Sequence, residues 1–281
     1  MEIQKKINIT VIIPVLNEAK NLRRCLERLS SFEQVIVVDS NSKDGTQEIA
    51  VSMGVELYQF HWNGKYPKKR SWALQTLPIR NEWVLLIDAD ELLTESFVEE
   101  VSRKINSSVN QGYWLNYQTY FMNKKLRFGD KLKKLALFKY SKGAFEVIEE
   151  ESWSKLDMEV HENFNVEGQT GTIRSKIIHK DFISLNQYIA KHNQYSEWES
   201  NYFINMKKKP LKNWTTRQHL KYFFLNLGCL PQVFFMGSYI LKLGFLDGAA
   251  GYYFAKYKAF YFFQIQTKII ERKMISKSNK I

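Results

Sequence analysis

The chain has 281 residues, 44% of them hydrophobic, which is enough to fill the core of one large domain or two small ones and excludes a disordered tail or a collagen-like fibre. Its two cysteines, Cys25 and Cys229, are too few for a disulfide framework or a cysteine-based zinc site, so we expect a reducing compartment. Residues 1–200 carry 27 basic and 27 acidic side chains, so the net charge of +12 arises entirely in residues 201–281.

Residues 1–100 alternate short apolar runs with helical patterns, which predicts a parallel sheet with crossover helices. No apolar signal-peptide core precedes the first predicted strand, so export through an N-terminal signal is not expected. The predicted strands cover residues 9–13, ended by Pro14, and residues 34–39, 55–60 and 83–87. The predicted helices begin after Asn17, at residue 46 and at residue 69. Asp39 and Asp88 then fall at the carboxyl ends of strands, where open α/β sheets bind ligands.

From Gly112 onward the pattern changes to short aromatic-rich strands, which indicates an antiparallel extension of the sheet that includes residues 113–121 and 135–140, with a last strand over residues 172–179. A helix is predicted over residues 185–203. The sequence contains no low-complexity linker, and it becomes apolar and basic together after Pro210. We therefore predict an α/β domain over residues 1–205 and a basic, aromatic-rich helical region over residues 206–281.

The acidic segment Asp88-Ala89-Asp90 directly follows the strand predicted at residues 83–87. If the chain stays extended there, both aspartates point to the same side. Two carboxylates in that position can bind a hard divalent cation, which neutralises a pair of phosphates. The alternative is a solvated strand end that caps a helix starting near Glu95.

Three loops share one pattern, because each follows a predicted strand of the parallel sheet. They are Pro14-Val15-Leu16-Asn17-Glu18, Val37-Val38-Asp39-Ser40-Asn41-Ser42-Lys43-Asp44-Gly45-Thr46 and Asp88-Ala89-Asp90. In order and spacing they resemble the family 2 glycosyltransferases, which have the GT-A fold, a Rossmann-like and mostly parallel sheet with crossover helices. Within that family the chain looks most like the bacterial lipopolysaccharide-core β-glucosyltransferases. The narrower resemblance rests on Lys68-Lys69-Arg70, Val160-His161-Glu162, His179 and Gly244-Phe245-Leu246-Asp247-Gly248.

The resemblance implies a nucleotide-sugar donor and assigns residues to it. Pro14, Asn17 and Glu18 would line the nucleotide pocket, and Asp39 would accept a hydrogen bond from the base, with a helix-capping role as the alternative. Asp88 would lie near the ribose and the metal, and Ala89 beside it would belong to the nucleotide-sugar site. Asp90 would ligate Mg²⁺ or Mn²⁺ bridging the diphosphate.

A basic cluster, Lys65, Lys68, Lys69 and Arg70, opens the third predicted helix. Its position before the aspartate strand suggests that Lys69 and Arg70 contact the diphosphate, by charge and with helix N-terminal N–H groups. A solvated basic face is the competing interpretation of each of these residues.

Glycosyl transfer needs a base, because the acceptor hydroxyl must lose its proton as it attacks the anomeric carbon. The resemblance makes Glu162 the candidate, although its His161-Glu162 form departs from the acidic pair that is commonest in the family. His179 ends a predicted strand and is either a third metal ligand or a structural histidine. A single displacement inverts the anomeric configuration, and the absence of a Gln-x-x-Arg-Trp motif favours one sugar per acceptor.

The basic tail contains twenty uncharged residues, 222–241, interrupted by Pro231 and two glycines. We expect helices lying in a membrane interface or a shallow re-entrant hairpin, with a true span or a soluble cap as alternatives. Five cations after this run are predicted to lie on a basic, aromatic helix suited to anionic lipid headgroups: Lys256, Lys258, Lys268, Arg272 and Lys273.

The expected partners are a nucleotide sugar, a lipid-linked saccharide acceptor and an anionic membrane surface. The expected location is therefore the cytoplasmic, inner face of the cell membrane. Nucleic acid is not expected, because aromatic and apolar residues are interleaved with the basic ones. Two alternatives are a nucleic-acid-binding protein that uses the basic tail and a nucleotidyltransferase on a related fold.

Overall fold

The computed structural model describes residues 6–106, 109–148, 150, 153–154, 156–157, 164–180, 184–206 and 216–278. The chain divides into two compact units. Unit 1 comprises residues 1–119, 132–151 and 155–181, and unit 2 comprises residues 120–131, 152–154 and 182–281. The position near residue 205, where the sequence analysis divides the chain, falls inside unit 2.

The first half of unit 1 is a parallel sheet with crossover helices. Its strands are β1 Ile7–Val15, β2 Phe32–Asp39, β3 Glu56–Gln59 and β4 Trp83–Leu86, and its helices are α1 Ala19–Leu26, α2 Thr46–Ser52 and α3 Lys69–Thr76. The strands lie side by side in the order β3-β2-β1-β4. Strand β1 is central and buried from Ile9 onward, as expected of a parallel strand covered on both faces. The predicted parallel sheet is confirmed in this half.

Strand β1 continues through Pro14 to Val15, so the prediction that Pro14 ends it is wrong. Pro14 pairs with Val38 of β2, whereas the pairing of β1 with β4 stops at Ile12 opposite Leu86. The missing N–H of the proline therefore breaks no hydrogen bond of the ladder.

The second half of unit 1 extends the sheet with strands of mixed direction. These are β5 Glu91–Leu92, β6 Gly112–Phe121, β8 Lys133–Lys139 and β11 Thr170–His179, with helix α4 Glu95–Asn106 between β5 and β6. Strand β8 is antiparallel to both β4 and β6, which confirms the predicted antiparallel extension, whereas the last strand, β11, runs parallel to β6. Strands β9 Gly143–Phe145 and β10 Phe164–Val166 form a separate antiparallel pair.

In the residues that the structure describes, unit 2 consists mainly of helices, with one hairpin in which β7 Lys124–Lys125 pairs with the last two residues of β6. Its helices are α5 Leu185–Met206, α6 Thr216–Asn226, α7 Leu230–Phe235, a π-helix Met236–Leu241, a 3₁₀ turn Gly244–Asp247 and α8 Gly248–Ser278. Phe203, Tyr222, Tyr261 and Ile265 belong to its core.

The uncharged run at residues 222–241 is divided among α6, α7 and the π-helix. Among the described residues, no single helix has the length and apolar character needed to cross a bilayer. Two helical segments, Leu230–Leu241 and Gly244–Ser276, meet those criteria only as a pair, with a bend of 72° between them.

Three of the five cations that the sequence analysis assigned to lipid headgroups instead bind α5. Lys258 Nζ lies 3.3 Å from His192 Nε2, Lys268 Nζ donates to Asn193 Oδ1 over 2.8 Å, and Arg272 donates to Ser200 Oγ over 2.8 Å. Their assignment to a lipid-facing surface is wrong, because they lie on the face of α8 that packs against α5.

Candidate functional site

The carboxyl ends of β1, β2 and β4 meet at one edge of the sheet in unit 1. Val15 at the end of β1 pairs with Asp39 at the end of β2, and Ile12 pairs with Leu86 of β4 on the other side. The three loops singled out in the sequence therefore leave adjacent parallel strands at the same edge. This is the position at which open α/β sheets bind their ligands.

The loop after β1 is held against the loop after β2. Asn17, in the left-handed region at φ 57°, donates its N–H to Ser42 Oγ over 2.8 Å and accepts the N–H of Lys43 at its side-chain oxygen over 2.8 Å. The N–H of Glu18 donates to Thr46 Oγ1 over 2.9 Å. These bonds fix the backbone at the start of α1 with groups from the neighbouring loop, so Asn17 and Glu18 lie on a rigid edge.

Asp39 is fully buried, and its carboxylate organises the second loop. It accepts the N–H and the hydroxyl of Ser42, and the Gln47 side-chain N–H₂ donates to it over 2.9 Å. Helix α2 begins after Gly45, whose φ of 90° suits glycine. Asp39 therefore braces the loop, and its hydrogen bond to a nucleotide base stays a prediction.

In the basic cluster before β4, Lys65 is exposed, but the other three members are less exposed than a solvated face would be. Lys69 is buried, its Nζ donates to the carbonyl of Val15 over 2.9 Å, and it lies 3.3 Å from Asp157. Burial lowers the pKa of Lys69, partly offset by Asp157. Lys68 is buried against Glu150 at 2.5 Å. Lys69 thus supports the end of β1, and its contact with a diphosphate stays a prediction.

The chain turns after β4 instead of staying extended. The N–H of Glu91 donates to the carbonyl of Asp88 over 3.0 Å, with Ala89 buried inside the turn. The expectation that strand alternation aligns Asp88 with Asp90 is therefore wrong. The turn instead lets Asp88 and Glu91 share Lys134 as an ion-pair partner, and it places Asp90 beside a different neighbour.

That neighbour is His179, because β5 pairs antiparallel with the end of β11 and sets His179 opposite Glu91. His179 Nε2 lies 3.6 Å from Asp90 Oδ2. One ligand atom each from Asp90, Glu91 and His179 fall within 4.8 Å of one another, an arrangement that could hold a metal ion. The structure thus brings together the two residues that the sequence analysis chose as metal ligands and adds Glu91 as a third.

A network of charges surrounds this cluster. Arg70 pairs with Asp88, and Lys134 lies between Asp88, at 2.7 Å, and the fully buried Glu91. Burial by itself raises the pKa of Asp88, but Lys134 and Arg70 more than offset it and hold that pKa well below its usual range. Burial raises the pKa of Glu91, and its Tyr117 partner donates a hydrogen bond to it over 3.3 Å.

The proposed base, Glu162, and its neighbour His161 lie outside the described residues. In the preceding segment Asp157 accepts a hydrogen bond from Ser40 Oγ over 2.6 Å. Neither Glu91 nor Lys134 is predicted from the sequence to have a role. Glu91 adjoins the acidic motif and could have been included, whereas Lys134 belongs to a lysine-rich stretch with no distinguishing signal.

Comparison with known proteins places this site in a family. Residues 10–161 match the model of glycosyl transferase family 2, which covers the three loops described above. The chain is 25% identical to the lipopolysaccharide core biosynthesis glycosyltransferase LpsC of Rhizobium meliloti, over 95% of this chain and 93% of that protein. It is 27% identical to an uncharacterised glycosyltransferase of Rickettsia conorii, over 96% and 92% of the two chains.

Among solved structures, the chain resembles the mannosyltransferase PcManGT from Pyrobaculum calidifontis in complex with GDP-Man and Mn²⁺. The TM-score is 0.55 at 15% identity, over 94% of this chain and 87% of that one. This likeness supports a GT-A-like mixed α/β fold with C-terminal helices, while membrane association of those helices stays a prediction. The family match spans more than half of the sequence, and the chain therefore belongs to glycosyl transferase family 2 and is a glycosyltransferase.

Proposed function

We propose that this glycosyltransferase moves a hexose from a nucleotide sugar, most simply a UDP-sugar, to a hydroxyl of a lipid-linked saccharide. The observation that carries the donor assignment is the convergence of three strand-end loops and the Asp90, Glu91 and His179 cluster at one sheet edge. The similarity to a lipopolysaccharide core glycosyltransferase supports an acceptor in lipopolysaccharide or another cell-surface glycan.

The residues at the cluster fit a divalent cation. Carboxylate oxygens suit Mg²⁺ and Mn²⁺, and the imidazole of His179 favours Mn²⁺ over Mg²⁺ because it is a softer ligand. Asp90 and His179 would hold the cation, and Glu91, which is already paired with Lys134, would support them. When bound, the cation neutralises charge on the diphosphate leaving group.

The chain's own residues hold the donor around that cluster. The braced loops at Asn17 and Asp39 present fixed backbone and carboxylate groups to the nucleotide, as the family resemblance implies. Asp88 stays ionised because of Arg70 and Lys134, so this part of the site keeps a fixed arrangement of charge. Such preorganised charges need no rearrangement as the sugar is transferred.

Transfer proceeds with inversion in this proposal. A carboxylate, assigned to Glu162, removes the proton of the acceptor hydroxyl, which attacks the anomeric carbon as the bond to the nucleotide diphosphate breaks. The proton passes to the carboxylate, and no covalent enzyme intermediate forms. An α-linked nucleotide sugar then gives a β-glycoside, with one sugar added per acceptor.

A lipid-linked acceptor places the enzyme at a membrane. We propose that it is a peripheral protein on the cytoplasmic, inner face of the cell membrane, and that its C-terminal helices contact anionic lipids through exposed aromatic side chains and the exposed cations Lys256 and Lys273. Nucleic acid is not a partner in this proposal.

The proposal is tested by a thermal-shift screen of UDP- and GDP-sugars with and without Mn²⁺. A ligand at about one hundred times its dissociation constant stabilises the folded state by about 2.7 kcal/mol, which is readily measured. We expect Mn²⁺-dependent stabilisation by one nucleotide sugar, followed by release of the nucleotide diphosphate on transfer. Release of inorganic pyrophosphate would instead identify a nucleotidyltransferase, and a folded protein that responds to no nucleotide sugar would refute the donor assignment.

A further inference from the structure

Residues 236–246 of unit 2 form an exposed, mostly apolar segment, which we call the helical tip. It consists of the π-helix, the connecting residues 242 and 243, and most of the 3₁₀ turn. Its exposed side chains are almost all apolar, and Leu241 is 80% exposed. They are Met236, Ile240, Leu241, Leu243, Phe245 and Leu246. Contiguous exposed apolar side chains of this kind mark a surface that something covers.

An aromatic cluster adjoins the helical tip. Tyr239 stacks on Phe235 with ring centroids 5.2 Å apart, and it contacts Tyr252 edge-on at 5.6 Å. The ammonium group of Lys256 lies over both outer rings, 5.0 Å from the Phe235 centroid and 5.7 Å from that of Tyr252. Tyrosine rings next to a lysine, beside purely apolar side chains, are characteristic of the boundary between lipid chains and headgroups.

A second segment of unit 2, residues 122–131, is strongly basic, and we call it the basic hairpin. Met122 and Asn123 both have positive φ, which makes the tight two-residue turn that joins β6 to β7. The exposed cations that follow this turn are Lys124, Lys125, Arg127 and Lys131.

Hydrogen bonds and an ion pair hold the basic hairpin to the helical tip and to Asp247, the last residue of the 3₁₀ turn. The carboxylate of Asp247 accepts the N–H of Arg127 over 3.0 Å and that of Phe128 over 2.9 Å. The N–H of Gly129 donates to the carbonyl of Lys242 over 2.9 Å, and Lys242 Nζ lies 2.6 Å from Asp130. The exposed cations and the exposed apolar side chains are therefore held next to each other by the fold.

We propose that the helical tip and the basic hairpin form one membrane-binding surface. The apolar side chains of the tip enter the interfacial region of a bilayer, and the cations of the hairpin bind the phosphates of anionic lipids. The partner is an anionic lipid bilayer because an exposed apolar group and exposed cations lie side by side, a combination that matches lipid chains beneath charged headgroups. This inference rests on the membrane association proposed above and identifies the surface responsible for it.

The length of the helical segment that leads into the helical tip favours shallow insertion into the bilayer over a complete span. The helical segment Leu230–Leu241 has twelve residues, or about 18 Å at 1.5 Å per residue, against about 30 Å for the hydrocarbon core. Polar contacts of Lys258, Lys268 and Arg272 hold α8 against α5. Because these contacts would be lost if α8 entered the bilayer, we expect α8 to stay packed on α5.

The experiment is co-sedimentation of the full chain with vesicles of phosphatidylcholine alone or mixed equally with phosphatidylglycerol. We expect binding to the mixed vesicles that weakens at high salt, because salt screens the cations. The double variant Leu241→Glu/Leu246→Glu should bind at least about tenfold more weakly. The triple variant Lys124→Gln/Lys125→Gln/Arg127→Gln should lose about tenfold or more in affinity for the mixed vesicles.

Matched controls come from exposed positions of unit 1. Val51→Glu/Val109→Glu adds the same charge at exposed apolar side chains, and Lys20→Gln/Arg24→Gln/Arg28→Gln removes the same number of exposed cations. Both controls should bind vesicles as the parent does. If the tip and hairpin variants also bind as the parent does, or if the controls lose as much affinity, the surface is not the one proposed.

Two further measurements separate this inference from the proposed function. Stabilisation by UDP with Mn²⁺ should persist in the tip and hairpin variants, because their substitutions lie outside the donor site. Nucleotide binding without vesicle binding by the parent would overturn the inference and leave the donor assignment standing. A concentration-dependent dimer that the tip variant abolishes would assign the surface to a second copy of the chain and also overturn the inference.

Discussion

Lys134 is the cation whose removal tests the charge network of the site most directly. Its ammonium group bridges Asp88 and Glu91 and lies 5.2 Å from the centre of the Tyr117 ring. The substitution Lys134→Met keeps most of the aliphatic stem and removes only the charge. Asp88 retains Arg70 as a partner, whereas Glu91 loses the one cation with which it forms an ion pair in the described part of the chain.

The size of the stability loss expected for Lys134→Met follows from how deeply its ion pair with Glu91 is buried. Breaking a fully buried ion pair costs about 3–5 kcal/mol, because a charge is left without its partner in a poorly solvated place. The Glu91 side chain has no exposed surface, but that of Lys134 is 33% exposed, so water screens part of the interaction. We expect a loss of about 2–3 kcal/mol in the free energy of unfolding at neutral pH. For a chain of this size the melting temperature should fall by roughly 5–10 °C.

The stability loss caused by Lys134→Met should increase with pH, because it acts through the charge of Glu91. Burial already raises the pKa of Glu91, and losing Lys134 raises it further, so the folded state binds a proton that the unfolded state releases. Stability from such a group is present below its unfolded pKa and is lost as pH rises through its folded pKa. The destabilisation caused by Lys134→Met should therefore be small near about pH 4.5 and larger near about pH 8.

The assay is urea unfolding followed by circular dichroism at both pH values, with a chelator present so that no metal contributes. Adding Glu91→Gln to Lys134→Met should recover at least half of the lost stability at the higher pH, because it removes the stranded charge. An equal loss at both pH values, or a double variant no more stable than Lys134→Met, would show that the substitution acts through packing and not through the charge of Glu91.

Three shorter predictions concern other parts of the molecule. Asp90→Asn should abolish Mn²⁺-dependent turnover and weaken Mn²⁺ binding measured by calorimetry, whereas the exposed Glu99→Gln should change neither. Glu162→Gln should keep nucleotide binding and lose transfer, and retained transfer would move the base elsewhere. Asp247→Ala should cost about 1–2 kcal/mol in urea unfolding and speed hydrogen exchange at the amides of residues 127 and 128, since it leaves both without their acceptor; unchanged exchange there would contradict that role.

The fold of unit 1 was largely predictable because its central strands are continuous apolar runs. Residues 9–13, 34–39 and 83–87 were assigned to strands that the structure extends or trims by only a few positions. Such runs occur where a parallel strand is covered on both faces. The end of β1 was missed because whether Pro14 interrupts a ladder depends on where β4 stops, and that is decided by a strand some seventy positions later.

The site was predictable to the extent that its residues follow strands. Asp90 and His179 were chosen from the ends of two different strands, and the pairing of β5 with β11 brings them together. Lys134 was missed because its contacts with Asp88 and Glu91 span 46 and 43 positions and have no local signature. The turn after β4 was missed because a short acidic segment is compatible with an extended or a turned backbone.

The helical periodicity of α8 distinguishes the cations that face α5 from those that face away from it. The charge pattern of the tail predicts lipid contacts for five of its later lysines and arginines, but Lys258, Ile265 and Arg272 are spaced by seven residues and so share one face of a helix. Ile265 is fully buried, so that face is the one that meets α5. The cations of unit 2 that we assign to lipid therefore come mainly from residues 124–131, which the charge count could not find because Asp247 fastens them to the tail across about 120 positions of sequence.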